Sequence, residues 1–364
     1  MSSPALDSAD SRRYARHLAL PEIGPAGQAK LRDSAVLVIG AGGLGSPAAL
    51  YLAAAGIGRL GVLDFDRVEL SNLQRQVLFD TAAVGQSKAS AARDRLAALN
   101  PGIRVDAHDE RLTARNAARL FGDYDIVLDG TDRLAVRYLV NDACVLLGKP
   151  LVSAAIHRFE GQALTVIPGR SPCYRCLFPT NAEDLVPNCE TAGVLGVLPG
   201  VMGSLQATEA LKLLLGIGEP LTGRLLVYDA LSLRFQEFRF ARRHDCAVCG
   251  DTPSITSLEE DSLASIDEWS ARELAERLSE TRAAPVMVDV REAYELPSGR
   301  IDGSLHIPLG ELGERFAEIP AGDELVFICA GGVRSLTACR YAATQGRSAI
   351  NLIGGMRAWQ QDVR

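Results

Sequence analysis

The sequence predicts an α/β protein in two unequal parts: a larger domain built on a mostly parallel, doubly wound sheet, then a small α/β domain. Three observations point there. From Ser34 onward strand and helix patterns alternate, as in sheets with helices on both faces. A Gly40-x-Gly42-x-x-Gly45 run follows the first strand directly and opens a helix. A polar, acidic stretch without periodicity, DTPSITSLEEDSLAS (251–265), interrupts the alternation before it resumes.

The elements follow in order. AVLVIG (35–40) reads as a strand, 45–55 as a small-residue helix, and RLGVLDFD (59–66) as the next strand. A helix over 85–99 closes at Asn100-Pro101, and DIVLDG (125–130) is the next strand. After Pro150 the pattern changes. LVSAAIHRFEGQALTVIP reads as two strands turning about Glu160-Gly161, 200–215 as a helix, and RLLVYDALSLRFQEFRF (224–240) as a second strand pair, so the sheet should be mixed. Beyond the linker come a helix over 270–279, strands in PVMVDVRE, LHIPLGEL and ELVFICA, a helix over 333–345 and a strand in AINLIGG. The expected division is therefore a first domain over 1–250, a linker over 251–265 and a second domain over 266–364.

Composition excludes several classes. The 364-residue chain carries a net charge of −7, which disfavours nucleic acid as a partner. No apolar run approaches the ~18 residues of a membrane span, and the N-terminal MSSPALDSADSRRYARHLAL has no apolar signal core. A cytoplasmic protein with no membrane partner is expected. Eight cysteines are too few for a disulfide scaffold at this length.

The glycine loop lets the backbone turn tightly and approach a phosphate, which then meets a helix N-terminus. Asp64 ends the next strand, placed to accept hydrogen bonds from a ribose. Alone, this suits a nicotinamide enzyme equally well. The chain continues into SNLQRQ, with Ser71, Asn72, Leu73, Gln74 and Arg75, and then reaches Lys88. Extra cations and amides suit the β- and γ-oxygens of a nucleoside triphosphate. Thr131-Asp132 comes after the DIVLDG strand, where Asp132 can hold Mg²⁺ between phosphates.

Taken together, RYARH, GxGGLG, LDFDxVxLSNLQRQ, the VGQSK lysine and LDGTD resemble the MoeB/ThiF group of ubiquitin-activating-like adenylating enzymes, over residues ~11–250. The resemblance implies a Rossmann-like adenylating domain that uses ATP on the C-terminal Gly-Gly carboxylate of a small ubiquitin-fold sulfur-carrier protein. It implies Asp64 on the ribose, Asn72, Arg75 and Lys88 on the phosphates, Asp132 on magnesium, and Ser71, Leu73 and Gln74 beside the nucleotide. It also implies that Arg16 reaches a neighbouring subunit's site in a homodimer. Arg133 stands where the family usually has Asn.

Cys173-x-x-Cys176 and Cys246-x-x-Cys249 can each bite one tetrahedral ion. Four thiolates leave no open position, so a structural Zn²⁺ is expected. Cys144 and Cys339 read as core packing. Cys189 lies in FPTNAEDLVPNCETAGVLG, a polar loop without periodicity. In the resembling family this segment crosses the adenylate site, so Cys189 is a candidate thioester or resolving thiol.

Residues ~266–364 resemble a rhodanese domain through DVRE (289–292), GRIDGSLHIPL (299–309), CAGGVRS (329–335) and GGMRAW (354–359). Cys329 ends a strand, and the loop Ala330, Gly331, Gly332, Val333, Arg334 leads into a helix. Backbone N–H groups there favour an anionic sulfur, a thiolate or a persulfide. Arg334 should stabilise bound anions such as thiosulfate, while Arg300 and His306 read as structural. The tail after GGMRAW is shorter than in many tandem relatives.

The expected function is adenylation of the carrier's Gly-Gly carboxylate, then sulfur transfer from a Cys329 persulfide to give a thiocarboxylate. The sulfur would come from a cysteine desulfurase or thiosulfate. Similar partners serve molybdenum cofactor biosynthesis, thiazole synthesis and tRNA thiolation. The alternative is an activating enzyme forming a Cys189 thioester for protein conjugation, with an accessory rhodanese domain.

Overall fold

In a computed structural model, residues 8–179, 193–258, 266–279, 284–322 and 324–363 are described, Val333 through its backbone only. The chain forms two compact units, Met1–Leu258 and Glu259–Arg364.

Among the described residues the first unit holds eight strands: β1 Ala35–Ile39, β2 Arg59–Leu63, β3 Arg104–His108, β4 Ile126–Asp129, β5 Leu151–His157, β6 Glu160–Val166, β7 Arg224–Asp229 and β8 Arg234–Arg239. Their order in the sheet is β3-β2-β1-β4-β5-β6-β7-β8. The first five pair in parallel and the last three are added antiparallel, so the sheet is mixed. The helices are α1 Ser8–Arg13, α2 Ala15–Leu18, α3 Gly24–Asp33, α4 Gly45–Ala55, α5 Lys88–Leu99, α6 Ala114–Gly122, α7 Leu134–Leu147, α8 Tyr174–Leu177 and α9 Leu198–Leu215.

Strand alternation sorts the core onto two faces. Val36 and Val38 of β1 join Leu52, Leu96 and Ala207 from α4, α5 and α9. Leu37 and Ile39 face the other way, onto Phe121, Val140 and Cys144 from α6 and α7. Strand order reverses at β1, so a crevice opens between the carboxyl ends of β1 and β4, the place where open sheets bind ligands.

Several expectations move. The β5–β6 hairpin pairs His157 with Glu160, so its turn is Arg158-Phe159 and not Glu160-Gly161. Gly161 lies within the strand because a Cβ there would run into Met202 of α9. The helix expected from residue 85 starts at Lys88, since Gly85 has φ +87° and the Ser87 hydroxyl caps the Ser90 N–H. β3 and α6 went unread, although Thr113 and Asn116 form a capping box at the start of α6. Residues 251–258, expected to open the linker, pack back on the first unit. Ile255 donates its N–H to the Ala247 carbonyl, and Ile255 and Leu258 pack against the core beside Cys173 and Cys246.

The second unit is a five-stranded parallel sheet ordered β11-β10-β12-β13-β9. Its strands are β9 Asp267–Trp269, β10 Val286–Asp289, β11 Leu305–His306, β12 Leu325–Ile328 and β13 Ile350–Leu352. Helices α10 Ala271–Ser279, α11 Leu312–Arg315, α12 Val333–Thr344 and α13 Gly355–Asp362 complete it. Among the described residues, no helix is long and apolar enough to cross a membrane.

Candidate functional site

The glycine loop occupies the crevice at the sheet's reversal. Gly40 turns out of β1 with φ +83°, and a Cβ on Gly45 would run into the Gly40 carbonyl oxygen. Gly40 and Gly130 approach so closely that a Cβ on Gly40 would lie 3.1 Å from the Gly130 oxygen. Thr131 and Asp132 follow Gly130 directly and thus stand at the loop's side, with Asp132 and Arg133 exposed. Arg133 is the N-cap residue of α7 and makes no side-chain cap bond.

The Asp64 carboxylate, buried at the end of β2, accepts the Ala41 N–H at 2.8 Å and the Asp66 N–H at 2.9 Å. One acid therefore fixes both the glycine loop and the chain leaving β2. Burial pushes its carboxyl above the usual range, and the nearby Lys88 charge pulls it back. Lys88 is only 6% exposed; its Nζ lies 3.3 Å from Asp66 Oδ2. On the loop's other flank, the short helix Leu70–Asn72 carries Ser71 and Asn72. Arg75 donates to the Ser71 carbonyl, and its stem reaches Gly43. Gln74 packs against Gly196, and Leu73 against the core beneath. Gln76 donates to Asn72 Oδ1 at 2.7 Å and lies against Gly42. Its Oε1 is buried with no hydrogen-bond partner among the described residues.

Arg16 is exposed on α2. That segment is anchored at the far end of α4: Asn100 donates to the Tyr14 hydroxyl and the Ala53 carbonyl, and Gln28 joins His17 to the Ala55 carbonyl. Ten residues of helix separate Ala55 from Gly45, about 15 Å at helical rise. Arg16 is thus tethered away from this chain's own glycine loop.

Cys173, Cys176, Cys246 and Cys249 converge, with all four sulfurs within 4.8 Å of one another. The spacings of 3.3, 3.4, 3.6 and 4.0 Å bracket the ~3.8 Å edge of a tetrahedron with ~2.3 Å metal–sulfur bonds. The donor set therefore fits one tetrahedral ion. Burial pushes Cys173 upward and Cys249 to about 12, so thiolates at these two positions need a cation. Chelation, or Cys249→Ser, is expected to lower the first unit's Tm by about 10 °C or more, read by calorimetry. An unchanged Tm would mean the cluster holds nothing that matters to folding. Cys144 is fully buried in the core. Cys189 lies outside the described residues.

In the second unit, Cys329 follows β12 directly with its side chain buried. Sγ accepts the Gly332 N–H at 3.0 Å and lies 3.2 Å from Ser335 Oγ. Gly332 has φ +91°. The closing GGMRAW motif clamps this loop: Met356 N–H donates to the Cys329 carbonyl at 2.8 Å and Arg357 N–H to the Ala330 carbonyl at 3.2 Å. A Cβ on Gly355 would run into the Cys329 carbonyl oxygen. Gly331 is exposed at the loop's rim. Asp289 and Arg291 of the DVRE motif form a buried ion pair at 2.7 Å, and His306 bonds the Arg291 carbonyl. Arg300 bonds the Ser304 carbonyl, and Cys339 is buried in the core.

Arg334, expected to hold bound anions, already meets a carboxylate of this chain. Its two terminal nitrogens fork onto Glu295 at 2.6 and 2.7 Å. The Arg334 bond holds the Glu295 carboxyl below its usual range. That contribution to stability is present above the ordinary glutamate range and is lost as pH falls through the lowered value. Glu295→Gln should therefore cost about 1 kcal/mol at neutral pH for a pair this exposed, and the deficit should vanish in acid, as Tm against pH will show. The same change frees the Arg334 fork, so turnover of thiosulfate should rise several-fold. A fall would mean that the ion pair itself serves the loop.

Sequence reading missed Asp66, Gln76, Glu268, Glu295, Ser335 and Asn351. Asp66 and Gln76 stood inside quoted motifs, and Ser335 ended CAGGVRS. Glu295 gave no signal, because only folding brings it to Arg334 across 39 residues.

Compared with known families, residues 14–248 match the ThiF family and residues 270–362 the rhodanese-like domain. The chain is 44% identical over 380 residues to the probable adenylyltransferase/sulfurtransferase MoeZ of Mycobacterium tuberculosis, covering 99% of this chain and 95% of that protein. It is 54% identical over 252 residues to the sulfur carrier protein adenylyltransferase of Thermus thermophilus, covering 68% of this chain and 93% of that one. Among solved structures it resembles E. coli MccB with ATP, at a TM-score of 0.60 and 23% identity over 67% of this chain and 75% of that one, a likeness of fold.

Proposed function

The chain belongs to the ThiF family and carries a rhodanese-like domain, and from that membership we propose that it adenylates a sulfur-carrier protein and then sulfurates it. One observation carries the reading: a single chain holds a glycine loop at the sheet's reversal, with Arg75 beside Gly43 and Lys88 near the Asp64 that braces Ala41, and, separately, a clamped loop built around one sulfur, Cys329.

The substrate is the C-terminal carboxylate of a ubiquitin-fold carrier ending in Gly-Gly. Its oxygen attacks the α-phosphorus of ATP, the bond to the β-phosphate bridge breaks, and pyrophosphate leaves. Adenylation supplies the leaving group that a carboxylate lacks. Arg75 and Lys88 hold the phosphate oxygens, Asn72 and Gln76 offer amides, and Asp64 accepts from the ribose while bracing Ala41. Asp132 is the residue that would hold Mg²⁺, which neutralises phosphate charge. Arg16, tethered away from its own loop, would complete the site of a second copy in a homodimer. Zn²⁺ in the four-cysteine cluster is structural, since four thiolates leave no position for substrate.

The terminal sulfur of a Cys329 persulfide then attacks the acyl carbon and AMP departs, leaving an acyl disulfide. A second thiol, for which Cys189 is the candidate, attacks Sγ of Cys329. The thiocarboxylate is released and a disulfide remains for an external thiol to reduce. A protein persulfide from a cysteine desulfurase, or thiosulfate, loads Cys329, and the setting is cytoplasmic. Carrier-dependent ATP–pyrophosphate exchange tests the first half. Exchange that needs no Gly-Gly-ended carrier would contradict it.

A further inference from the structure

Ser335 is fully buried, and its single hydroxyl hydrogen has two claimants. Oγ lies 2.7 Å from Asn351 Oδ1 and 3.2 Å from Cys329 Sγ. A hydroxyl donates only once, so the orientation of Asn351 decides. Asn351 sits on β13 in register with Glu268 on β9, and its Nδ2 donates to Glu268 Oε1 at 3.0 Å. A carboxylate accepts and cannot donate, which turns the amide oxygen toward Ser335. The shorter contact therefore takes the hydrogen, and Ser335 offers Cys329 only lone pairs. An S–H can donate into those lone pairs; a thiolate cannot.

We propose that Asn351 and Glu268 are positioning residues for Cys329, acting through Ser335: they keep the hydroxyl hydrogen off the sulfur and so restrain unloaded Cys329 as a nucleophile. This rests on reading Cys329 as the sulfur-bearing thiol. When the proton leaves for solvent, the hydroxyl turns to the sulfur and the Ser335–Asn351 bond breaks; no other bond changes. The Gly332 N–H pulls the opposite way, toward the anion. Among the described residues, the other titratable or charged groups around Cys329 are Arg334 on α12, closed on Glu295; Arg357 on α13, beside Gly331; the buried Cys339 thiol on α12; and the Asp289–Arg291 pair at the end of the neighbouring strand β10. None of these bonds Ser335.

The test is iodoacetamide alkylation of Cys329 in the full-length protein across pH, read by peptide mass spectrometry after cyanide has stripped bound sulfane sulfur. Asn351→Leu removes the competing acceptor. Its profile should move to lower pH by about one unit. Ser335→Ala removes the donor, and its profile should move to higher pH. The double variant should match Ser335→Ala alone, because Asn351 then has no hydroxyl to hold. Glu268→Gln, which frees the amide to turn over, should follow Asn351→Leu with a smaller shift. An Asn351→Leu profile that stays put or moves upward, or a double variant that sums the two shifts, overturns the proposal.

Cys339, buried on the same helix, reports folding by remaining unalkylated. If Asn351→Leu exposes it, Glu268→Gln at the sheet edge decides, and an unmoved profile there overturns the proposal equally. The assay uses no carrier and no ATP, so failure of carrier sulfuration leaves its result standing. An unmoved profile likewise leaves the sulfur relay standing.

Discussion

Lys88→Met is expected to slow carrier-dependent ATP–pyrophosphate exchange by roughly 10²–10³-fold, the usual cost of removing one preorganised cation or donor from a site where charge develops. Lys88 opens α5, buried except for its reach to Asp66. Methionine keeps the aliphatic stem and loses the charge. The partner left behind, Asp66, has a side chain 52% exposed, so solvent takes over its pairing and the fold should survive. The Tm of the first unit, measured beside the exchange rate, separates the two effects. Full exchange activity in Lys88→Met would remove it from the phosphate site and leave it as the counter-ion of Asp66.

Cys329→Ala is expected to reduce sulfur transfer from thiosulfate to cyanide by roughly 10³-fold or more, the usual cost of removing a covalent nucleophile. Pyrophosphate exchange should stay within about twofold, because the two loops belong to separate compact units and exchange calls on the glycine loop alone. The split is the informative part. Loss of exchange as well would mean that the sulfur loop supports the adenylation step. Retained sulfur transfer would move the sulfur-bearing role to another thiol.

Much of this was legible in the chain because backbone chemistry writes itself into glycines. Gly40 and Gly45 are required by one tight turn and one close approach, and Gly355 by the carbonyl of Cys329, so the motifs report real steric needs. The cysteine pairs are similarly plain, since two CxxC bites fit one ion and little else. Side-chain pairing across the fold was not legible. Glu295 meets Arg334, and Glu268 meets Asn351, only through strand register and loop closure. The β5–β6 turn was misplaced for a related reason: Gly161 signals close packing on Met202, and a glycine in a strand looks like a turn until its neighbour is known. β3 went unread although RVDAH alternates, because its two apolar residues, Val105 and Ala107, are too small and too few to stand out as a strand.

The measurement that bears most directly on the coupling of the two chemistries is the intact mass of a Gly-Gly-ended carrier after incubation with the full-length enzyme, Mg-ATP and thiosulfate. A sulfur-for-oxygen gain with wild type, absent with Cys329→Ala and absent without ATP, is the predicted result. A carrier that is adenylated by every variant and never gains sulfur would contradict the account.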